Sequence, residues 1–150
     1  MLGIKFEIEN EYSNYLEKIL EDINESYYLW KVPEAEIYIE NGTNIFLDDI
    51  YSNDEFQKMI GIKRYYTVFA NIQLYDRSIN LIDINTYEDF INSNCQLILF
   101  VTDNIFVDIY GKNDEMLDKV YRNAKKYNFD NLKIIHSKDN IKKSFSAYED

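Results

Sequence analysis

The side chains that could do chemistry in this chain are mainly carboxylates, because it has one histidine, His136, and one cysteine, Cys95. Nucleophilic catalysis needs a base held beside a nucleophile, and a lone histidine at the end of an expected strand does not provide that arrangement. Cys95 precedes an apolar strand and is expected to be a small buried side chain. A zinc site would need three or four His or Cys ligands, which the sequence lacks.

The densest run of acids, Asp48-Asp49 followed by Asp54-Glu55, does not have the spacing of a known metal loop. It lacks the alternating oxygen ligands and central glycine of a calcium loop. No glycine-rich loop precedes a helix, so the sequence predicts no phosphate or dinucleotide site. We therefore expect no cofactor. An enzyme using carboxylates alone is an alternative, and it would need two acids converging in a pocket, one with a raised pKa.

The charge of −11 is unevenly distributed. Residues 1–55 hold 14 acids against three bases, whereas residues 56–150 hold 13 of each. Such polarity is typical of an acidic face for a basic partner, of head-to-tail self-association, or simply of a soluble surface. The candidate acidic binding face comprises Glu17, Glu21, Asp22, Glu25, Asp48 and Asp49.

A second candidate site is an aromatic sheet face made of Phe69, Tyr75, Phe106 and Tyr110. These residues lie on strands where RNA-recognition domains place stacking side chains. The net charge opposes nucleic-acid binding, which needs a Lys/Arg footprint. We expect the aromatic residues to pack under the N-terminal third, and a groove for a peptide or small molecule is the alternative.

In the first part of the chain, apolar spacing predicts strands at 3–8, 28–32 and 37–39, with a helix over 12–23. Pro33 is expected to end the second strand, and Asn41-Gly42 to form a turn. Ser52-Asn53-Asp54-Glu55 is a capping box for a helix that ends at Gly61 in a left-handed conformation.

In the remainder, the pattern predicts strands at 65–75, 96–102, 105–110 and 132–135. A short helix starts at Thr86 and a longer one spans 113–128, with Asp103-Asn104 as a two-residue turn. Strand 96–102 is apolar on both faces. An exposed edge of that kind invites aggregation, so we expect the N-terminal third to cover it or to extend the sheet beside it.

The expected fold is α+β, with an antiparallel or mixed sheet and helices mainly on one face. From about residue 65 the order β-α-β-β-α-β predicts a ferredoxin-like arrangement. We expect one domain over 1–136, in which a β-α-β-β-α half (1–64) precedes the ferredoxin-like half (65–136). Residues 137–150 are expected to form a polar tail that frays, with one or two helical turns at most around Ile141, Phe145 and Tyr148.

The opening residues show no basic start followed by an apolar run, so we expect no secretory signal. The longest apolar run, residues 97–101, is far shorter than the roughly 20 residues that cross a bilayer. We therefore expect no membrane partner. A lone cysteine excludes an internal disulfide and favours a cytoplasmic location.

The segment Gly3–Tyr12, with Leu16, Ile19-Leu20 and Trp30, resembles a family of uncharacterised proteins from low-GC Gram-positive bacteria, known only as a domain of unknown function. Residues 97–112, ending Val107-Asp108-Ile109-Tyr110-Gly111-Lys112, are similar to a second block of that family. The resemblance implies a single-domain cytoplasmic bacterial protein, and it implies no activity.

The sequence thus favours a non-catalytic binding protein, in particular an acidic inhibitor or immunity-type protein for a basic partner. The alternatives are the carboxylate-dependent enzyme and a homo-oligomeric structural protein. In the oligomer, the acidic first third of one copy would meet the basic last helix of another.

Overall fold

The computed structural model describes residues 1–79 and 82–145. One seven-stranded sheet includes strands from both the N-terminal and the C-terminal part of the chain, in the order β3-β2-β4-β5-β6-β1-β7, and every neighbouring pair is antiparallel. The strands are β1 Gly3–Glu7, β2 Tyr28–Tyr38, β3 Ile50–Ser52, β4 Tyr66–Asp76, β5 Cys95–Thr102, β6 Phe106–Gly111 and β7 Asp130–Ile135. The helices are α1 Tyr15–Ile19, α2 Asn53–Ile60, α3 Tyr87–Asn92 and α4 Asp114–Lys126, followed by a short 3₁₀ turn at Lys138–Asn140.

The α+β class is confirmed, but the ferredoxin-like arrangement from residue 65 is not. In that arrangement the two strands joined by each helix are parallel with one strand between them. Here α3 joins β4 to β5, which are antiparallel neighbours. Two other helices do join parallel strands with one strand between them. Helix α2 joins β3 to β4 across β2, and α4 joins β6 to β7 across β1, the first strand of the chain.

Each face of the sheet has its own hydrophobic core, because side chains alternate across the pleat. The main core lies under α1, α2 and α4 and includes Leu16, Trp30, Phe56, Leu99 and Val120. The second core lies on the opposite face, under α3 and residues 141–145. Its members are Tyr75, Ile84, Phe90, Cys95, Ile98, Phe100, Tyr110, Ile135, Ile141 and Phe145.

Strand β5 is buried on both faces because it lies between β4 and β6 in the sheet and has one core on each face. Strand β5 is therefore not an edge strand, because β4 and β6, its neighbours in the chain, pair with it on either side. The N-terminal third does not have to extend the sheet beside it. Within the expected tail, Ile141 and Phe145 are buried in the second core, whereas residues 137–140 are exposed. Tyr148, expected in the same tail, lies outside the described residues.

Three local expectations are wrong. Pro33 does not end β2, because it lies at a register shift between Lys31 and Glu34, where a bulge tolerates a residue without an N–H donor. The helix predicted over 12–23 is only as long as α1, since Ser13 pairs with Tyr65 in a β-bridge.

Gly61 has φ −78, which is right-handed. A Cβ there would lie 3.0 Å from the Gln57 carbonyl oxygen and from a Glu17 carboxylate oxygen, so close packing rather than backbone conformation favours glycine.

The capping box at the start of α2 is confirmed. The Ser52 hydroxyl accepts from the Glu55 backbone N–H at 3.2 Å, and the Glu55 carboxylate accepts from the Ser52 N–H at 3.0 Å. These bonds lower the pKa of Glu55.

Replacing Ser52 with alanine is expected to lower the free energy of unfolding by about 1 kcal/mol, because it removes the acceptor for an orphan helix N–H. For a chain of this size the melting temperature should fall by about 2–4 °C. Thermal denaturation followed by circular dichroism measures this, with exposed Ser26→Ala as the control. An unchanged melting temperature in Ser52→Ala would contradict the prediction.

Candidate functional site

The six acidic residues predicted as one binding face lie in two separate places. Glu17, Glu21, Asp22 and Glu25 lie on or just after α1, on the side of the main core. Asp48 and Asp49 lie in the loop before β3, at the edge of the sheet. The structure therefore does not assemble the six into a single surface.

The acids that follow α1 meet the basic helix α4 of the same molecule. Lys126 Nζ lies 2.7 Å from a Glu21 carboxylate oxygen, and the Tyr127 hydroxyl donates to the other oxygen at 2.5 Å. These two hydrogen bonds lower the pKa of Glu21. Lys119 Nζ donates to the backbone carbonyl of Asp22 at 3.3 Å. The acidic first third and the basic last helix thus interact within one chain.

Asp48 and Asp49 line a surface groove that we call the acidic groove, of about 320 Å³. It lies between β2 and the loop before β3. Its lining residues are Val32, Pro33, Glu34, Ala35, Glu36, Phe46, Leu47, Asp48, Asp49 and Phe69.

The loop that forms one wall of the acidic groove is held in place by three hydrogen bonds. The Val32 N–H donates to the Asp49 carbonyl at 2.7 Å, and the Asp48 N–H donates to the Tyr51 hydroxyl at 2.7 Å. Farther along the loop, the Asn44 amide donates to the Ala35 carbonyl at 2.7 Å. These bonds hold the acids in place without using their carboxylates.

The acidic groove is negative around exposed apolar side chains. Four carboxylates line it, no lysine or arginine does, and none of the four forms a salt bridge within residues 1–79 and 82–145. Leu47 is 79% exposed and Ile50, on the adjoining strand, is 50% exposed. Such acids beside solvent-facing aliphatic side chains suit a partner that offers both positive charge and apolar surface.

The predicted aromatic sheet face is divided as well. Tyr75 and Tyr110 are fully buried in the second core, where burial raises the pKa of both hydroxyls. Residues 82–92 and 141–145 cover them, so the expectation that the N-terminal third does so is wrong. Phe106 is 45% exposed at the start of β6, and Phe69 lines the acidic groove. Of the ten predicted site residues, Asp48, Asp49 and Phe69 come together.

A second cavity, which we call the polar pocket, lies beside the acidic groove on the face of the second core and was not expected from the sequence. It has a volume of about 210 Å³. Its lining residues are Lys31, Pro33, Glu34, Asn71, Gln73, Asp83, Ile84, Asn85 and Phe145. The available signal was the pair Asn71 and Gln73, two amides at inward positions of an otherwise apolar strand.

The residues first considered for chemistry lie apart from both cavities. Cys95 is buried at the start of β5, and burial raises the pKa of its thiol to about 12, so it is a poor nucleophile at neutral pH. His136 is exposed just after β7. Within the described part of the chain, no three or more His, Cys, Asp or Glu side chains cluster closely enough to hold a metal ion. No helix in that same part is both long and apolar enough to span a bilayer.

Fold and cavities together define a small α+β protein with a seven-stranded antiparallel sheet that carries an acidic groove and a polar pocket. Residues 1–146 match the family described as "Protein of unknown function (DUF2691)", and the chain belongs to that family. It is 30% identical over 150 residues to "Uncharacterized protein YncE" of Bacillus subtilis (strain 168), a match that covers 97% of this chain and 98% of that protein. No solved structure gives a significant match. The resemblance inferred from residues 3–30 and 97–112 is thereby confirmed.

Proposed function

We propose that this protein is a non-catalytic binding protein of the inhibitor or immunity type, and that it covers a basic site of a partner protein in the cytoplasm. The observation that carries the proposal is Leu47, 79% exposed among Glu34, Glu36, Asp48 and Asp49 in the acidic groove. The occupant is a basic segment with an apolar side chain that packs on Leu47. The lone, buried cysteine supports a reducing compartment.

One observation favours this function over the homo-oligomer. A head-to-tail oligomer needs a free basic helix, whereas Lys126 of α4 already pairs with Glu21 in the same chain.

The test is capture of partners on the immobilised full chain at low and at high salt, followed by mass spectrometry and by kinetic measurement of the protein recovered. We expect a basic protein that is retained at low salt and released at high salt, because exposed charges are screened within about 10 Å at 0.1 M salt. The double variant Asp48→Asn, Asp49→Asn should bind at least about tenfold more slowly, since these charges steer association.

The matched control is Glu9→Gln with Glu25→Gln, which removes the same charge from exposed acids that do not line the acidic groove. It should bind like the parent chain. Leu47→Ser should speed dissociation with little change in the association rate. Equal binding by the groove variant and the parent would refute the proposal, as would retention that does not depend on salt.

A further inference from the structure

Two residues that line the polar pocket, Asn71 and Glu34, each have a buried acceptor atom that no described residue satisfies. Asn71 is only 5% exposed, and its Oδ1 has no hydrogen-bond partner among residues 1–79 and 82–145. In the same part of the chain, Oε2 of Glu34 is also buried without a partner. A buried acceptor left unpaired costs stability, and native proteins keep few of them. Both residues line one cavity, which makes that cavity the candidate site for a bound group.

The register of β2 and β4 brings these acceptors together with a cation. Glu34 lies directly opposite Asn71, and Lys31 lies opposite Gln73. Opposed side chains on one face of a sheet have Cβ atoms about 5 Å apart. The Gln73 Oε1 accepts from the Tyr75 hydroxyl at 2.7 Å, which fixes that amide. Lys31 is half-buried and forms no salt bridge within the described part of the chain.

The charges lining the polar pocket argue against a simple ion. A bare cation would meet the ammonium of Lys31, and a simple anion would meet the carboxylates of Glu34 and Asp83. A molecule carrying both charges satisfies both sides. An ammonium group has three donors for oxygen acceptors, and a carboxylate accepts from a lysine.

We propose that the polar pocket binds a small zwitterion with a primary ammonium and a carboxylate, such as a free amino acid. The ammonium donates to Glu34 and Asn71, and the carboxylate accepts from Lys31. Pro33, Ile84 and Phe145 provide an apolar wall for the rest of the molecule. The 210 Å³ volume equals that of about seven water molecules, which matches a ligand of this size. This site goes beyond the proposed function, since it requires no partner protein.

The experiment is a thermal-shift screen of the full chain against each of the 20 common amino acids at millimolar concentration, followed by calorimetry. We expect at least one to raise the melting temperature saturably. Its analogues that lack only the carboxylate or only the ammonium should bind at least tenfold more weakly, because each leaves one charged side of the pocket unpaired.

Three variants separate a binding role from a structural one. Asn71→Leu should abolish binding without lowering the melting temperature of the free protein, since it replaces an unpaired amide with an apolar group of similar size. Glu34→Gln should weaken binding at least tenfold. The matched control Glu88→Gln, at an exposed acid on α3 that lines neither cavity, should leave it unchanged.

A pocket that holds only water would give no shift with any amino acid, and that result would overturn the proposal. So would unchanged affinity in Asn71→Leu. Neither result bears on the acidic groove, which the Asp48 and Asp49 variants test separately. Conversely, loss of partner capture in those variants leaves the prediction for Asn71→Leu intact.

Discussion

Replacing Phe145 with alanine is expected to lower the free energy of unfolding by about 3–5 kcal/mol, a large part of the stability of a domain this size. The side chain is 1% exposed in the second core. Its ring stacks on Tyr110 with centroids 5.4 Å apart and contacts Phe100 at 4.8 Å. The Phe145 backbone N–H donates to the Asn85 carbonyl at 3.0 Å, so the backbone of this residue is also bonded to the segment that precedes α3.

Urea denaturation followed by circular dichroism measures this loss. Phe106→Ala is the matched control, because Phe106 is a phenylalanine of the same sheet that is 45% exposed, and its loss should cost about 1 kcal/mol or less. If Phe145→Ala and Phe106→Ala had the same urea midpoint, the second core would not depend on residues 141–145.

Replacing Trp30 with alanine should cost about 3–5 kcal/mol or more, since it opens the largest cavity that a single substitution can make in the main core. The indole is fully buried and stacks on Phe56 with centroids 3.9 Å apart. Its Nε1 donates to the Asn53 amide oxygen at 3.0 Å. Asn53 in turn donates to Asn24, so the loss also disturbs a buried hydrogen-bond chain.

Trp30→Phe is the informative companion, because it keeps an aromatic ring against Phe56 and removes the indole donor. It should lose less than Trp30→Ala, and the residual loss measures the bond to Asn53 together with the smaller ring. Trp30 is the only tryptophan, so unfolding must be followed by circular dichroism rather than by its fluorescence. Equal losses in the two variants would show that ring stacking contributes little.

Local signals predicted much of the fold, because they depend on residues close in sequence. The capping box at Ser52 and the helix start at Thr86 form as expected. Asp103 and Asn104 both adopt positive φ, at 52° and 66°, as a two-residue hairpin turn requires. Helix α4 falls within its predicted bounds of 113–128.

Strand order could not be predicted, because it depends on which distant strands meet. The sequence order from residue 65 fits a ferredoxin-like unit, yet β1 takes the place between β6 and β7. No local feature of Gly3–Glu7 indicates that this strand pairs between β6 and β7. Pro33 was misjudged for a similar reason, since a bulge against β4 compensates for its missing donor.

The candidate sites were predicted least well. Charge composition indicated Asp48 and Asp49, which do line the acidic groove, but also Glu21, which α4 neutralises. The polar pocket arises from opposed residues on β2 and β4, and the bulge at Pro33 sets that register. A sequence shows that Glu34 and Asn71 are polar, but only the pairing shows that they face each other.

The position of β1 has a consequence for how the chain folds. Gly3 pairs with Tyr110 on one side and with Ile135 on the other, so the first strand finds its neighbours only after most of the chain has been made. Pairings so distant in sequence are slow to form, since the entropy of closing the intervening loop is lost before contacts compensate. We therefore expect Ile4 and Phe6 to be among the last core side chains that become buried as the chain folds.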